Sequence, residues 1–214
     1  MVAPPTFIKM CGITNLSDAR AAVRAGANGI GFIFAPSLRR VAPAKAAAVA
    51  SHLHPSVRRF GVFVNAPNPQ IVRVAEKVGL DSVQLQGTET PEQIAELRAL
   101  RPGLFISKAV RPGKETSNEL LQSFKADAVM LDPRNVSEPE AQPDPVQFDN
   151  FAKLGIERLI VAGGLTPKNV AGLIAKVGPW GVDVSSGIER EPGRKDPKLM
   201  FDFVAAVRRG EGKR

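Results

Sequence analysis

The chain has 214 residues, 43% of them hydrophobic, with 29 basic and 21 acidic side chains that leave a net charge of +8. That length suits one large domain with a sizeable core, and the sequence holds no apolar run of the ~18 residues a membrane span needs. A single cysteine excludes an internal disulfide framework and agrees with a reducing compartment, so a cytoplasmic setting is expected.

Met1–Thr6 carry neither a basic flank nor a long apolar stretch, so no export leader is expected. Phe7–Met10 then read as a first strand that stops at Cys11-Gly12. Further short apolar, β-branched runs follow at Gly29–Phe34, Phe60–Val64, Ser82–Leu85, Leu104–Val110, Ala128–Leu131, Arg158–Val161 and Gly181–Val184. Their near-continuous apolarity fits strands covered on both faces. Helical patterns lie between them: Leu16–Ala25 after Asn15, Ala44–Leu53, Gln70–Val78, Pro91–Leu100 after Thr90, Asn118–Phe124, Phe148–Leu154, Pro167–Lys176 after Thr166, and Pro197–Arg208 after Asp196. A capping residue followed by proline marks several of these starts.

Eight strand-then-helix units in this length predict a single-domain (β/α)8 TIM barrel over residues 1–214, with a basic tail at about 209–214. An open doubly wound sheet is the alternative, but it would show a glycine-rich dinucleotide turn after its first strand, and Cys11-Gly12-Ile13-Thr14 is not one. The segment Pro133–Gln147, rich in proline and acids, is too polar to bury and reads as a surface loop, a candidate lid over the barrel mouth.

Ligands of such barrels bind at the C-terminal strand ends. That rule selects Cys11, Arg39, Asn65, Gln86, Lys108, Asp132, Gly163-Gly164 and Ser185-Ser186-Gly187. The last two groups end adjacent strands. Their backbone N–H groups and hydroxyls, unobstructed at the glycines, suit a phosphate. A thiolate at Cys11 and a carboxyl group at Asp132 are competent as base and acid, and no histidine is placed to activate the thiol, so the pair points to proton transfer. His52 and His54 fall near the end of the second helix, on the far face from the mouth. Together with one cysteine they make no metal-ligand cluster. The basic residues are scattered and tyrosine is absent, which argues against a nucleic-acid surface.

Lys9–Thr14, Gly29–Phe34 with Ser37 and Arg39, Gly61–Asn65, Val83–Gly87, Leu131-Asp132, Ala162–Leu165 with Asn169-Val170, and Val182–Glu189 together resemble phosphoribosylanthranilate isomerase of tryptophan biosynthesis. The resemblance implies an Amadori rearrangement without cofactor or metal. Asp132 is then the general acid and Cys11 the general base. Arg39 holds the anthranilate carboxylate. Gly163, Gly164, Ser185, Ser186 and Gly187 bind the phosphate, and Asp183 sits near the sugar hydroxyls. It also implies a phosphorylated small-molecule substrate, a monomer or homodimer, and no nucleic-acid or membrane partner. The chain departs from the family pattern at Leu38 and Arg40 around Arg39, at Gln86 where histidine is usual, and across Pro133–Gln147, which lacks the usual glycine-rich stretch before Phe148-Asp149. A paralogue acting on a different phosphoribosyl amine and a non-catalytic phosphosugar-binding barrel stay open. An aldose–ketose isomerase of histidine biosynthesis would have aspartate in place of Cys11.

Overall fold

The structure, a computed structural model, describes residues 4–113, 116–133 and 155–212. Eight parallel strands close into a barrel in chain order. They are β1 (Phe7–Cys11), β2 (Gly29–Ile33), β3 (Arg58–Phe63), β4 (Ser82–Leu85), β5 (Phe105–Val110), β6 (Ala128–Leu131), β7 (Leu159–Val161) and β8 (Gly181–Val184). Pairing of β1 with β8, Lys9 opposite Asp183 and Met10 opposite Val184, shuts the sheet on itself and rules out the open doubly wound alternative. Among the described residues no helix is long and apolar enough to cross a membrane.

The helices α1 (Leu16–Ala25), α2 (Pro43–Ala50), α3 (Asn68–Val78), α4 (Pro91–Leu100), α5 (Asn118–Ser123), α6 (Val170–Val177) and α7 (Pro197–Glu211) pack outside. Their local signals act as the spacing predicts. Asn15 caps α1 by accepting from Asp18 N–H, and Gly26 ends it in a left-handed conformation. Thr90 and Gln93 form a reciprocal capping box around Pro91. Several boundaries shift by one to three residues from expectation: α2 ends at Ala50 instead of Leu53, and α3 starts at Asn68 instead of Gln70. Pro167–Asn169 form a turn, with Thr166 O accepting from the N–H groups of Asn169 and Val170, so α6 starts three residues later than the Thr166-Pro167 signature implies. At the other end α7 runs on to Glu211, whose carboxylate accepts from Thr6 N–H at 2.6 Å. The expected helix Phe148–Leu154 and all of the candidate lid beyond Pro133 lie outside the described residues.

A short hairpin, β9 (Glu189–Glu191) with β10 (Arg194–Lys195), was not expected. It follows the turn Ser186–Ile188 and stands over the ends of β8 and β1.

Two cores result. The larger lies between barrel and helices; the smaller fills the barrel itself with Phe60, Phe105, Met130 and Ile160, against which Phe7 and Trp180 stack. Strand alternation sends Phe7, Lys9 and Cys11 to the same side of β1. Lys9 therefore enters the barrel interior, with no solvent exposure, its Nζ 5.4 Å from the Phe60 ring centre and 2.7 Å from Asp183 Oδ1.

A charge in that setting is tolerated only as a pair. Lys9→Met alone strands the Asp183 carboxylate and should cost about 3–5 kcal/mol, whereas Lys9→Met combined with Asp183→Leu should recover most of the loss. Urea denaturation of the three proteins measures both effects; equal destabilisation of single and double variants would contradict the pairing argument.

Candidate active site

The C-terminal rim of the barrel gathers the strand-end residues. Cys11, the last residue of β1, is buried at 5% exposure and directly above Lys9. A Cβ on Gly31 of β2 would stand 2.7 Å from Cys11 Sγ and 3.2 Å from Lys9 Nζ, which puts thiol and ammonium over the same bare backbone. Burial pushes the Cys11 thiol above the ordinary range; Lys9 and, less strongly, Lys195 oppose that by favouring the thiolate, while Asp183 adds to it. Burial pulls Lys9 down, but Asp183, with Cys11 assisting, outweighs it and holds the ammonium above its ordinary value.

Asp132 follows β6 and is 3% exposed. Its Oδ2 accepts from Gln86 Nε2 at 3.2 Å, and Gln86 Oε1 in turn accepts from Gln84 Nε2. Gln86, a departure from the family pattern in sequence, is thus one of the side chains that steady the carboxylate. Asp132 and Gln86 line a cavity of about 500 Å³ that also borders Asn65, Lys108 and Arg111. Around the barrel, β7 and β8 separate Asp132 from Cys11.

Two of the strand-end candidates are held by the scaffold. Lys108 is buried with Glu89 (3.0 Å) and donates to Gly87 O (2.6 Å). Asn65 Oδ1 accepts from Thr88 N–H (2.7 Å), and Glu89 accepts from Asn65 N–H (2.8 Å). These bonds shape the β3–β5 rim and leave neither side chain as a natural proton carrier.

The loops after β7 and β8 lie together. Gly163 and Gly164 take φ of 87° and 64°, consecutive left-handed conformations that side chains rarely adopt. Gly187 is pressed against the carbonyl of Leu165, so the second loop seats directly on the first. Gly164 and Ser186 face solvent. Ser185 is buried, its carbonyl oxygen 3.0 Å and its hydroxyl 3.4 Å from Lys195 Nζ. Asp183 lies one layer lower and uses Oδ1 on Lys9.

Arg39 turns toward the rim and Arg40 is exposed. The Arg39 guanidinium donates from Nε and Nη2 to both oxygens of Glu189 at 2.8–3.1 Å. Lys195 Nζ reaches Glu189 Oε1 at 2.7 Å. Burial drives the Glu189 carboxyl up, but Arg39 and Lys195 together hold it below the usual carboxylate range; burial of Lys195 prevails over Glu189 and keeps that ammonium below its ordinary value. Sequence reasoning missed Lys9, Lys195 and the part played by Glu189. The available signals were a lysine inside an otherwise apolar strand and a glutamate closing the Ser185–Ile188 motif. His52 and His54 are exposed beyond α2 and bond to near neighbours in sequence, Ala48 O and Ser51 Oγ for the first and Ser56 for the second.

A family model described as N-(5'phosphoribosyl)anthranilate (PRA) isomerase matches residues 8–206. A relative from Pelobacter propionicus, named N-(5'-phosphoribosyl)anthranilate isomerase, is 40% identical over 92% of this chain and 93% of its own length. The solved phosphoribosyl anthranilate isomerase of Thermotoga maritima superposes with a TM-score of 0.82 at 35% identity, covering 95% of this chain and 98% of that one. Another solved isomerase, in complex with reduced 1-(o-carboxyphenylamino)-1-deoxyribulose 5-phosphate, has a TM-score of 0.80 at 32% identity over the same shares.

The thiol provides a direct check on the rim's electrostatics. Its thiolate ultraviolet absorbance should develop only above the ordinary thiol range, and Lys195→Met should move the midpoint further up, since a cation favouring the thiolate is gone. Because the folded-state value is raised, the associated stability is complete below the unfolded thiol's pKa and is lost as pH rises through the folded value. Cys11→Ser should remove that alkaline loss in a pH series of denaturation curves.

Proposed function

The chain belongs to the N-(5'-phosphoribosyl)anthranilate isomerase family, and from that premise we propose that it carries out the Amadori rearrangement of N-(5'-phosphoribosyl)anthranilate to 1-(2-carboxyphenylamino)-1-deoxyribulose 5-phosphate in tryptophan biosynthesis, with the rim residues in the following roles. The observation that supports the reading best is the common rim: Cys11 and Asp132 end strands on either side of the β7 and β8 loops, and the family match runs through all of them.

The substrate phosphate docks on the Gly163-Gly164 and Ser185–Gly187 loops, where backbone N–H groups and the exposed Ser186 hydroxyl meet it. Arg39 receives the aromatic carboxylate at the other end. Asp132, steadied at Oδ2 by Gln86, gives its proton to the furanose ring oxygen. The C1–O bond breaks as the anilino nitrogen's lone pair moves in to form the C1=N iminium. The Cys11 thiolate then takes the proton from C2, and the C–H electrons move into C1=C2 while the iminium nitrogen recovers its pair. The enolamine tautomerises to the ketone. The iminium is the electron sink, so the reaction calls for no added cofactor. Lys9 beneath the thiol and Lys195 beside it favour the thiolate form that takes the proton. The burial that raises the thiol's pKa also makes its thiolate a stronger base. Asp183, whose Oδ1 holds Lys9, takes the sugar hydroxyls in this reading. The setting of such an isomerase is the cytoplasm.

Turnover with freshly prepared phosphoribosylanthranilate, followed as loss of anthranilate-type fluorescence, tests the activity directly; absence of turnover with this substrate and turnover with another phosphoribosyl amine would assign the chain to a paralogous reaction. Cys11→Ser and Asp132→Asn should each lower kcat by ~10²–10⁴-fold while leaving phosphate-ligand affinity nearly intact. Near-wild-type kcat in either would break the proton route. Arg39→Ala should weaken a carboxylated product analogue and Arg40→Ala should not, since Arg39 is tied to Glu189 at the rim while Arg40 is exposed; a calorimetric titration of both variants decides between them.

A further inference from the structure

At the rim two cations share one carboxylate. Glu189, its side chain 4% exposed, accepts from Arg39 through both oxygens and from Lys195 through Oε1; the Lys195 side chain is wholly buried and that of Arg39 is 18% exposed. Gly193 N–H adds a further bond to the same carboxylate at 3.3 Å. The β9–β10 hairpin makes this possible, because its register sets Lys195 opposite Glu189. Lys195 is anchored in turn on the carbonyl and hydroxyl of Ser185. The stem of Arg39 lies over the Gly12 backbone, where a Cβ would come within 2.8 Å of Cδ and 3.1 Å of Ser185 Oγ. The arginine is therefore held along its length and at its head.

A guanidinium offers carboxylates a side-on edge, Nε with one Nη, and an end-on edge made of the two Nη groups. Glu189 occupies the side-on edge, and Nη1 takes no part in that pair. We propose that Glu189, backed by Lys195, is a positioning residue: it fixes the Arg39 guanidinium before substrate arrives, with the end-on edge kept for the substrate's carboxylate. This rests on the reading of Arg39 as the carboxylate's partner. Two physical effects follow from the arrangement. A long side chain that is already ordered loses little rotamer freedom on binding. An excess of one positive charge in a half-buried cluster is balanced when an anion arrives. The same tie runs through Lys195 to Ser185, so the carboxylate end and the phosphate loop are braced against each other.

The test compares wild type with Glu189→Gln, Glu189→Asp, the double variant Glu189→Gln/Lys195→Met, and Arg39→Ala. Each is titrated with reduced 1-(o-carboxyphenylamino)-1-deoxyribulose 5-phosphate and with ribose 5-phosphate, which lacks a carboxylate, and each is assayed for turnover. Glu189→Gln should weaken the carboxylated ligand about 10–100-fold, the range expected for disturbing a charge-assisted bond, and leave ribose 5-phosphate within about twofold. KM should rise with kcat little changed, and Glu189→Asp should recover part of the loss. The double variant removes the carboxylate together with the wholly buried lysine that depends on it, and should show the same selective loss even if Glu189→Gln folds poorly. Full affinity of the double variant for the carboxylated ligand, or equal weakening of both ligands, overturns the proposal while a selective loss in Arg39→Ala preserves the underlying reading. If Arg39→Ala itself binds the carboxylated ligand normally, the reading of Arg39 fails and the proposal falls with it.

Discussion

The ion pair between Lys9 and Asp183 is the constraint around which the barrel is arranged. Both side chains are almost wholly removed from solvent, on the two strands whose pairing closes the sheet. Taking a lone ammonium or carboxylate into such an interior costs several kcal/mol, so either residue without the other would push the barrel open or change its charge state. Below the pair lies the aromatic floor of Phe60, Phe105, Phe7 and Trp180; above it is Cys11. The pair thus marks the level at which the barrel changes from packing to chemistry.

Two lysines reach the thiol's neighbourhood, and they are tuned in opposite directions. Lys9 has an unshared carboxylate and stays charged despite complete burial. Lys195 must share Glu189 with Arg39, whose own charge repels it, so burial prevails. The consequence is a rim with positive charge on the side of β1, β2 and the hairpin, and a hydrogen-bonded carboxylate on the side of β6. Between these sides lie the β7 and β8 loops, with the consecutive left-handed glycines Gly163 and Gly164. The arrangement follows from topology: Asp132 after β6 and Cys11 on β1 stand one strand to either side of the β7 and β8 loops, so each is held by its own neighbours.

Much of this was legible before the fold was seen. The eight strands fall where apolar runs lie between capping and turn residues, and Cys11, Asp132 and the glycine pair were selected by position at strand ends alone. Errors came where local chemistry had two outlets. Thr166-Pro167 has the form of a helix start, yet Asn169 Oδ1 accepts from Thr166 N–H and its amide donates to Gly164 O, so the segment closes as a turn and the helix begins after it. The β9–β10 hairpin has only three and two residues in its strands, too few for alternation to show.

The sequence by itself determined the period of the chain, the faces of the strands and helices, and the order in which reactive side chains reach the rim, because these depend on residues a few positions apart. Only the tertiary structure decided which charges meet. Lys9 and Asp183 are 174 residues apart, and Arg39 and Glu189 150 apart. A lysine in an apolar strand, a glutamate after a serine-rich turn and a lysine at a hairpin end have no marked local signature. Their meaning comes from barrel closure, which removes water, makes each buried charge depend on a partner, and brings together side chains that no local pattern connects.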